Sequence, residues 1–250
     1  MLRARRISVR LIGRAVGAIA EKMSRIPISC RQNDADGVTE TDSIDRTTKL
    51  AELPVLVVDL ETTGLDVRTD RVVSIGAVSA LGARLYRDDI LDILVNPDRP
   101  VPPRSTAIHG ITDTMVADAP MFTEAFGHLD AMLTDRVIVG HNIGFDLAIL
   151  RGENRRLGLR WAQPAALDLV RLAAALDPRE RDLTLEGMAE RWGISVSGRH
   201  TALGDALMTA EMWAHALPRL IEVGVVTLGD ALAFECRARA VIANQKRAGW

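Results

Sequence analysis

The spacing of apolar residues changes character along this 250-residue chain. Val9, Ile12, Val16, Ile19, Met23 and Ile26 recur at alternating steps of three and four, which predicts a helix with one apolar stripe, ended by Pro27. Residues 32–50 hold few apolar positions and carry Asp34, Asp36, Asp42 and Asp45, so they predict a linker, with the folded domain starting abruptly at Pro54. Leu53–Leu60 is an almost continuous apolar run, as expected of a central strand buried on both faces. Val72–Ala80 and Ile90–Val95 predict two further strands, separated by turns at Gly64-Leu65-Asp66 and Gly82. The pattern then mixes: a short helix over Ser105–His109, a helix over Phe122–Leu133, a brief strand at Val137–Val139, and a helix over Phe145–Leu157. A last strand at Ala166–Leu169 leads into helices ending at Leu176 and spanning Leu183–Trp192, Ala202–Leu217 and residues 228–245. Three consecutive strands followed by mixed strands and helices argue for an α/β fold with a mixed sheet covered by helices. The expected organisation is a helical extension (1–31), a linker (32–52), a folded domain (53–220) and a C-terminal helical extension (221–250).

Composition narrows the function classes. With 48% hydrophobic and 26% charged residues and a net charge of −2, the chain fits one soluble domain with extensions and is not a basic nucleic-acid binder as a whole. The charge is uneven: in residues 1–31, Arg3, Arg5, Arg6, Arg10, Arg14, Lys22, Arg25 and Arg31 face only Glu21. Docking on the protein's own domain, pairing with a partner helix, and lying on an anionic membrane are the readings of this segment. Its short stripe and scattered arginines favour docking or self-association. No apolar run approaches the ~20 residues of a membrane span, and Arg14 interrupts the one candidate signal core, so a cytoplasmic location is expected. Cys30 and Cys236 stand far apart in no metal-binding spacing and are expected to be reduced thiols.

Four carboxylates and one histidine carry the candidate chemistry. Asp59 and Glu61 lie in Val-Val-Asp-Leu-Glu-Thr-Thr-Gly-Leu-Asp, Asp146 in His-Asn-Ile-Gly-Phe-Asp, and His200 and Asp205 in His-Thr-Ala-Leu-Gly-Asp-Ala. Side chains alternate along a strand, so Asp59 and Glu61 point the same way, about 6.6 Å apart, while Leu60 points into the core. Asp146 is placed near a helix start, where the helix dipole favours an acid. Asp205 is expected in the first turns of its helix, with His200 on the loop before it. Taken singly, each is ordinary: a solvated strand-end pair, a helix-terminal acid, a surface His and Asp. Taken together, oxygen ligands suit Mg²⁺ or Mn²⁺, and a nearby histidine handles a proton near neutral pH.

With Ile-His-Gly-Ile-Thr, these motifs occur in one order and resemble the DEDDh exonucleases, in the branch of the proofreading epsilon subunit of bacterial DNA polymerase III. The resemblance covers residues 53 to about 217. It implies a ribonuclease-H-like fold and release of nucleoside 5′-monophosphates from a 3′ end. It also implies two Mg²⁺ (or Mn²⁺) ions clamping the attacking and leaving oxygens of an in-line displacement. Asp59, Glu61 and Asp205 match direct metal ligands, Asp146 the fourth acid, and His200 the general base. The histidine subtype is favoured because Thr201 stands where the other subtype has tyrosine. Thr62, Thr63 and Leu65 match the turn under the terminal nucleotide, Leu65 as a wedge, with Phe145 and His109 at the substrate pocket; turn and core packing or helix capping are the competing roles. Asp168 matches a family position and is expected to be structural, as His141 is expected to belong to a turn. Trp161, Trp192 and Trp213 are expected in the core or at its edge.

The implied substrate is a single-stranded or frayed DNA 3′ end. Trimming of RNA ends uses the same chemistry and stays open. From another class, a non-catalytic module that binds nucleic acid or a polymerase is opposed by the intact set of acids and histidine. A clear sliding-clamp peptide is absent from the sequence.

Overall fold

The computed structural model describes residues 44–180 and 182–247. The basic helix expected over residues 1–31 lies outside them.

Five strands form one sheet: β1 (Pro54–Thr62), β2 (Val72–Leu81), β3 (Arg84–Leu94), β4 (Val137–Gly140) and β5 (Ala166–Asp168), in the order β3-β2-β1-β4-β5. β1 pairs antiparallel with β2 and parallel with β4. β2–β3 is antiparallel and β4–β5 parallel. The mixed sheet expected from the sequence is therefore present. β3 starts six residues before the expected Ile90. It is the edge strand and largely exposed, so its Arg84–Asp89 half carries no apolar alternation to betray it.

The helices are α1 (Pro103–His109), α2 (Asp113–Val116), α3 (Phe122–Leu133), α4 (Gly144–Arg156), α5 (Leu169–Leu176), α6 (Leu185–Trp192), α7 (Ala202–Glu222) and α8 (Leu228–Arg247). The single-turn α2 had no signal in the hydrophobic pattern. Strand alternation divides the core in two. Val55 and Val57 of β1 face a cluster built with α5, α6, α7 and α8. Leu56, Val58 and Leu60 face a second cluster built with α3 and α4. Asp59 and Glu61 continue the first of these series, so they emerge on the side where α7 lies.

Trp213 of α7 is fully buried and donates from Nε1 to the Gly82 carbonyl at 2.9 Å, tying the helix to the β2–β3 turn. Trp192 stacks on His215, and Trp161 meets the edge of Phe126.

Residues 44–52 do not behave as the end of a linker. Leu50 is fully buried, its N–H donates to the Val226 carbonyl at 2.8 Å, and Lys49 bridges to Thr227. Burying one such leucine contributes about 1.5–3 kcal/mol toward docking the segment. Likewise α8 is no detached extension: Leu228, Ala231, Phe234 and Ala238 enter the first core cluster, and the helix packs on α5 and β5. Cys236 on α8 is disulfide-bonded, contrary to the reduced state expected. The other cysteine, Cys30, lies outside the described residues.

Candidate active site

β1 delivers the first two acids. Its pairing with β4 ends at Val57–Val139, so the β1 backbone beyond that point needs another partner. Asp146, in the first turn of α4 and buried, supplies it: Oδ1 accepts the Leu60 N–H at 3.1 Å. Asp146 is thereby locked to the residue between Asp59 and Glu61.

Asp205 arrives from the other side. The Thr201 hydroxyl caps α7, accepting the Gly204 N–H at 3.1 Å and donating to the Gly198 carbonyl at 2.7 Å. This closes the 198–201 turn, and Asp205 falls in the first helical turn, facing β1. Ligand oxygens of Asp59, Glu61 and Asp205 all lie within 4.8 Å of one another. His200 sits at the end of the turn with φ 60°, left-handed for a non-glycine residue, and is exposed.

The electrostatics record the crowding. Burial pushes Asp59 well above the usual carboxylate range, and the charges of Asp146, Asp205 and Glu61 push the same way. Glu61 is raised to about 7 by burial and by Asp205. Asp146 is raised to about 8, chiefly by burial, although its own N–H and that of Leu60 oppose this. A divalent cation among these acids would offset the crowding. Asp205 Oδ1 is buried with no hydrogen-bond partner, as a lone pair directed at an ion would be. An all-oxygen donor set suits a hard divalent cation, so the residues present fit one.

The surrounding residues divide by role. The Thr63 hydroxyl donates to buried Asp70 at 2.8 Å and accepts from the Arg71 N–H at 3.0 Å. Thr62 donates to the Gly64 carbonyl at 2.7 Å. Both hydroxyls therefore hold the turn after β1, and Leu65 stands at its tip, 85% exposed. Phe145, beside Asp146, is partly buried against the second core cluster. His109, at the end of α1, accepts the Ile111 N–H through Nδ1 at 3.0 Å, which places its proton on Nε2. That buried Nε2 has no hydrogen-bond partner. Burial holds His109 below the usual imidazole range; nearby His200 adds to this, and the Thr62 carbonyl opposes it.

Asp168 caps α5, accepts the Asn142 N–H at 3.1 Å and pairs with Arg171, while its own N–H donates to Glu235. His141 Nε2 bonds the Leu183 carbonyl at 2.8 Å. Two residues of the site went unnoticed in the sequence. Arg199 donates from Nη1 to Asp205 Oδ2, and from Nε and Nη2 to Glu186 on α6. Its position beside His200 was the available signal.

A strand-borne acid pair facing an acid at a helix start, on a mixed sheet covered by helices, is the arrangement of metal-dependent nucleases of the ribonuclease-H-like class. The exonuclease family denoted RNase_T matches residues 56–213, and the chain belongs to this family. It is 39% identical over 188 residues to a DNA polymerase III subunit epsilon-like protein of Rhodobacter capsulatus, an alignment covering 74% of this chain and 27% of the relative. The DNA polymerase III subunit epsilon of Pasteurella multocida is 32% identical over 168 residues, with 63% of this chain and 66% of the relative covered. The solved structure of Exonuclease X in complex with 5′ overhanging duplex DNA superimposes with a TM-score of 0.58 at 25% identity, covering 72% of this chain and 99% of that one. The chain thus spans about a quarter of the length of its Rhodobacter relative.

Proposed function

We propose that this protein is a metal-dependent 3′–5′ exonuclease that releases nucleoside 5′-monophosphates from DNA 3′ ends, in proofreading or repair. The observation that carries the proposal is the convergence of Asp59, Glu61 and Asp205 oxygens within 4.8 Å, with Asp146 tied to Leu60 between the first two. Family membership and the epsilon relatives support it.

Asp59, Glu61 and Asp205 would hold the cations, two Mg²⁺ or Mn²⁺, with Asp146 as the fourth acid. When bound, the ions supply Lewis-acid activation of water and neutralise charge on the departing 3′ oxygen. His200, exposed on its turn, takes the proton of the attacking water. Leu65 wedges against the terminal base, Phe145 adds an apolar contact, and His109 lies at the same pocket. Backbone strain at His200 fits a side chain whose position is set for chemistry rather than for stability.

DNA is preferred over RNA on the epsilon relatives. A cytoplasmic location fits this work, and no helix among the described residues is long and apolar enough to cross a membrane. The segment 1–31 is assigned to self-association or polymerase contact. The catalytic part of the domain is assigned to residues 53–220, over which residues 44–52 and α8 pack.

The test is a degradation series on matched 5′-labelled DNA and RNA oligonucleotides with Mg²⁺ or Mn²⁺. Stepwise shortening of DNA with mononucleotide release is expected. Folded protein that leaves both substrates intact with either metal refutes the exonuclease reading; preference for RNA moves it to 3′-end trimming.

A further inference from the structure

We propose that Arg199 is a phosphate-binding residue of this site, held in place by Glu186, and that its guanidinium grips a non-bridging oxygen of the substrate backbone next to the cations. This deepens the exonuclease reading and rests on it.

The geometry of the guanidinium is the basis. Nε and Nη2 both donate to Glu186 Oε1 on α6, and Nη1 donates to Asp205 Oδ2 on α7. An arginine has five N–H donors, so two remain after these three bonds. The side chain is 21% exposed, so it is not sealed off from solvent or substrate. A planar fork pinned by carboxylates on two helices has lost its rotamer freedom before substrate arrives, which favours phosphate recognition.

Its location is equally specific. Asp205 divides its two oxygens: Oδ2 takes Arg199, while Oδ1 is buried with no hydrogen-bond partner and is left for a cation. The guanidinium therefore borders the cation site, and its field also reaches Asp59 and Glu61, opposing their upward shifts. A phosphodiester drawn to cations at Asp205 comes beside this guanidinium. Glu186 completes the arrangement. Burial opposes it, but its own N–H, Arg199 and His200 keep this carboxylate below its ordinary range, so it stays an anion able to hold the fork.

The test uses the full chain with Arg199→Gln, Arg199→Lys and Glu186→Gln. Three quantities are read: Mn²⁺ affinity by calorimetry, the salt dependence of oligothymidylate binding in Ca²⁺, and kcat/KM in Mg²⁺. Losing one phosphate contact should flatten the slope of log K against log salt by about 0.7 in Arg199→Gln. Mn²⁺ affinity should hold or rise, because a cation beside Asp205 is gone. kcat/KM should fall roughly 10- to 100-fold, the range of a charged hydrogen bond. Arg199→Lys should keep the wild-type slope and recover part of kcat/KM. Glu186→Gln, with its fork unpinned, should fall between wild type and Arg199→Gln.

An unchanged salt slope in Arg199→Gln overturns the proposal. So does weakened Mn²⁺ binding together with lost activity, which makes Arg199 a support for Asp205 alone. The salt slope and the Mn²⁺ affinity need no turnover, so they stand apart from failure of the exonuclease reading, which shows as an inactive wild-type protein.

Discussion

Gly76 lies directly across from Asp59 in the β1–β2 register, and its missing side chain is what admits the first turn of α7. A Cβ at Gly76 would lie 2.1 Å from the carbonyl carbon of Ala202 and 2.2 Å from the N of Leu203. Both are backbone atoms, which cannot swing aside as a flexible side chain would. The distance from Asp205 to Asp59 is therefore set by a glycine that carries no ligand atom of its own.

Gly76→Ala should push α7 outward and pull Asp205 from the other two acids. The overpacking should cost about 1–3 kcal/mol of stability. Mn²⁺ affinity and nuclease activity should both fall, activity more steeply because it needs every ligand in place. A urea titration beside a Mn²⁺ titration checks this; native metal affinity in a folded Gly76→Ala protein would show that α7 does not sit as described.

The metal-free protein should lose stability as pH rises. Glu61 goes from 4.5 to about 7 and Asp146 from 3.8 to about 8 on folding, each mainly through burial. A raised folded value means the native state holds a proton that the unfolded chain gives up. The resulting stability is fully present below the unfolded values and is lost as pH climbs through about 7 and 8. Melting temperature in EDTA should accordingly decline between pH 5 and 8. Mg²⁺ should flatten the decline by replacing the protons. Asp59→Asn should raise the metal-free melting temperature at pH 8, by about 2–4 °C for each kcal/mol of relieved repulsion, while abolishing turnover. A pH-independent melting temperature in EDTA would contradict the crowding of these acids.

Replacing His200 separates chemistry from backbone. Its φ of 60° suits asparagine better than alanine, so His200→Asn removes the base with little strain at the turn. The rate should drop roughly 10²–10⁴-fold, the usual contribution of a general base. Mn²⁺ affinity should stay native, since His200 is not among the clustered ligands. If calorimetry instead finds metal binding lost, His200 is a ligand and its role as base is wrong.

Glu235 on α8 is the test of whether the C-terminal helix belongs to the working domain. It accepts the Asp168 N–H at 3.0 Å and pairs with Arg171 at 2.7 Å, while Asp168 in turn holds the Asn142 N–H four residues before Asp146. Glu235→Ala should lower stability by about 1–3 kcal/mol, the cost of leaving charged hydrogen-bond partners unmet. Hydrogen exchange should quicken at Asn142 and Asp168 more than at β2. Exchange rising only within α8 would mean the helix is an appendage.

Local patterns carried most of the fold. The run Leu53–Leu60 announced a strand buried on both faces, and β1 is one; Phe122–Leu133 was read as a helix with those same bounds. Period and turn chemistry are properties of neighbouring residues, so a sequence can display them. The exposed edge strand β3 was half hidden because it buries little apolar surface.

Of the site, the sequence determined which residues carry oxygen donors and that Asp59 and Glu61 share a face, since strand alternation fixes that without tertiary contacts. Only the folded chain decided that Asp205 meets them, that Asp146 is tied to Leu60, and that Arg199 is pinned between Glu186 and Asp205. It also decided that residues 44–52 and α8 close over the first core cluster. Those facts depend on distances between residues far apart in the chain, set by where a glycine lets a helix approach and where a strand runs out of partners. No local spacing encodes them.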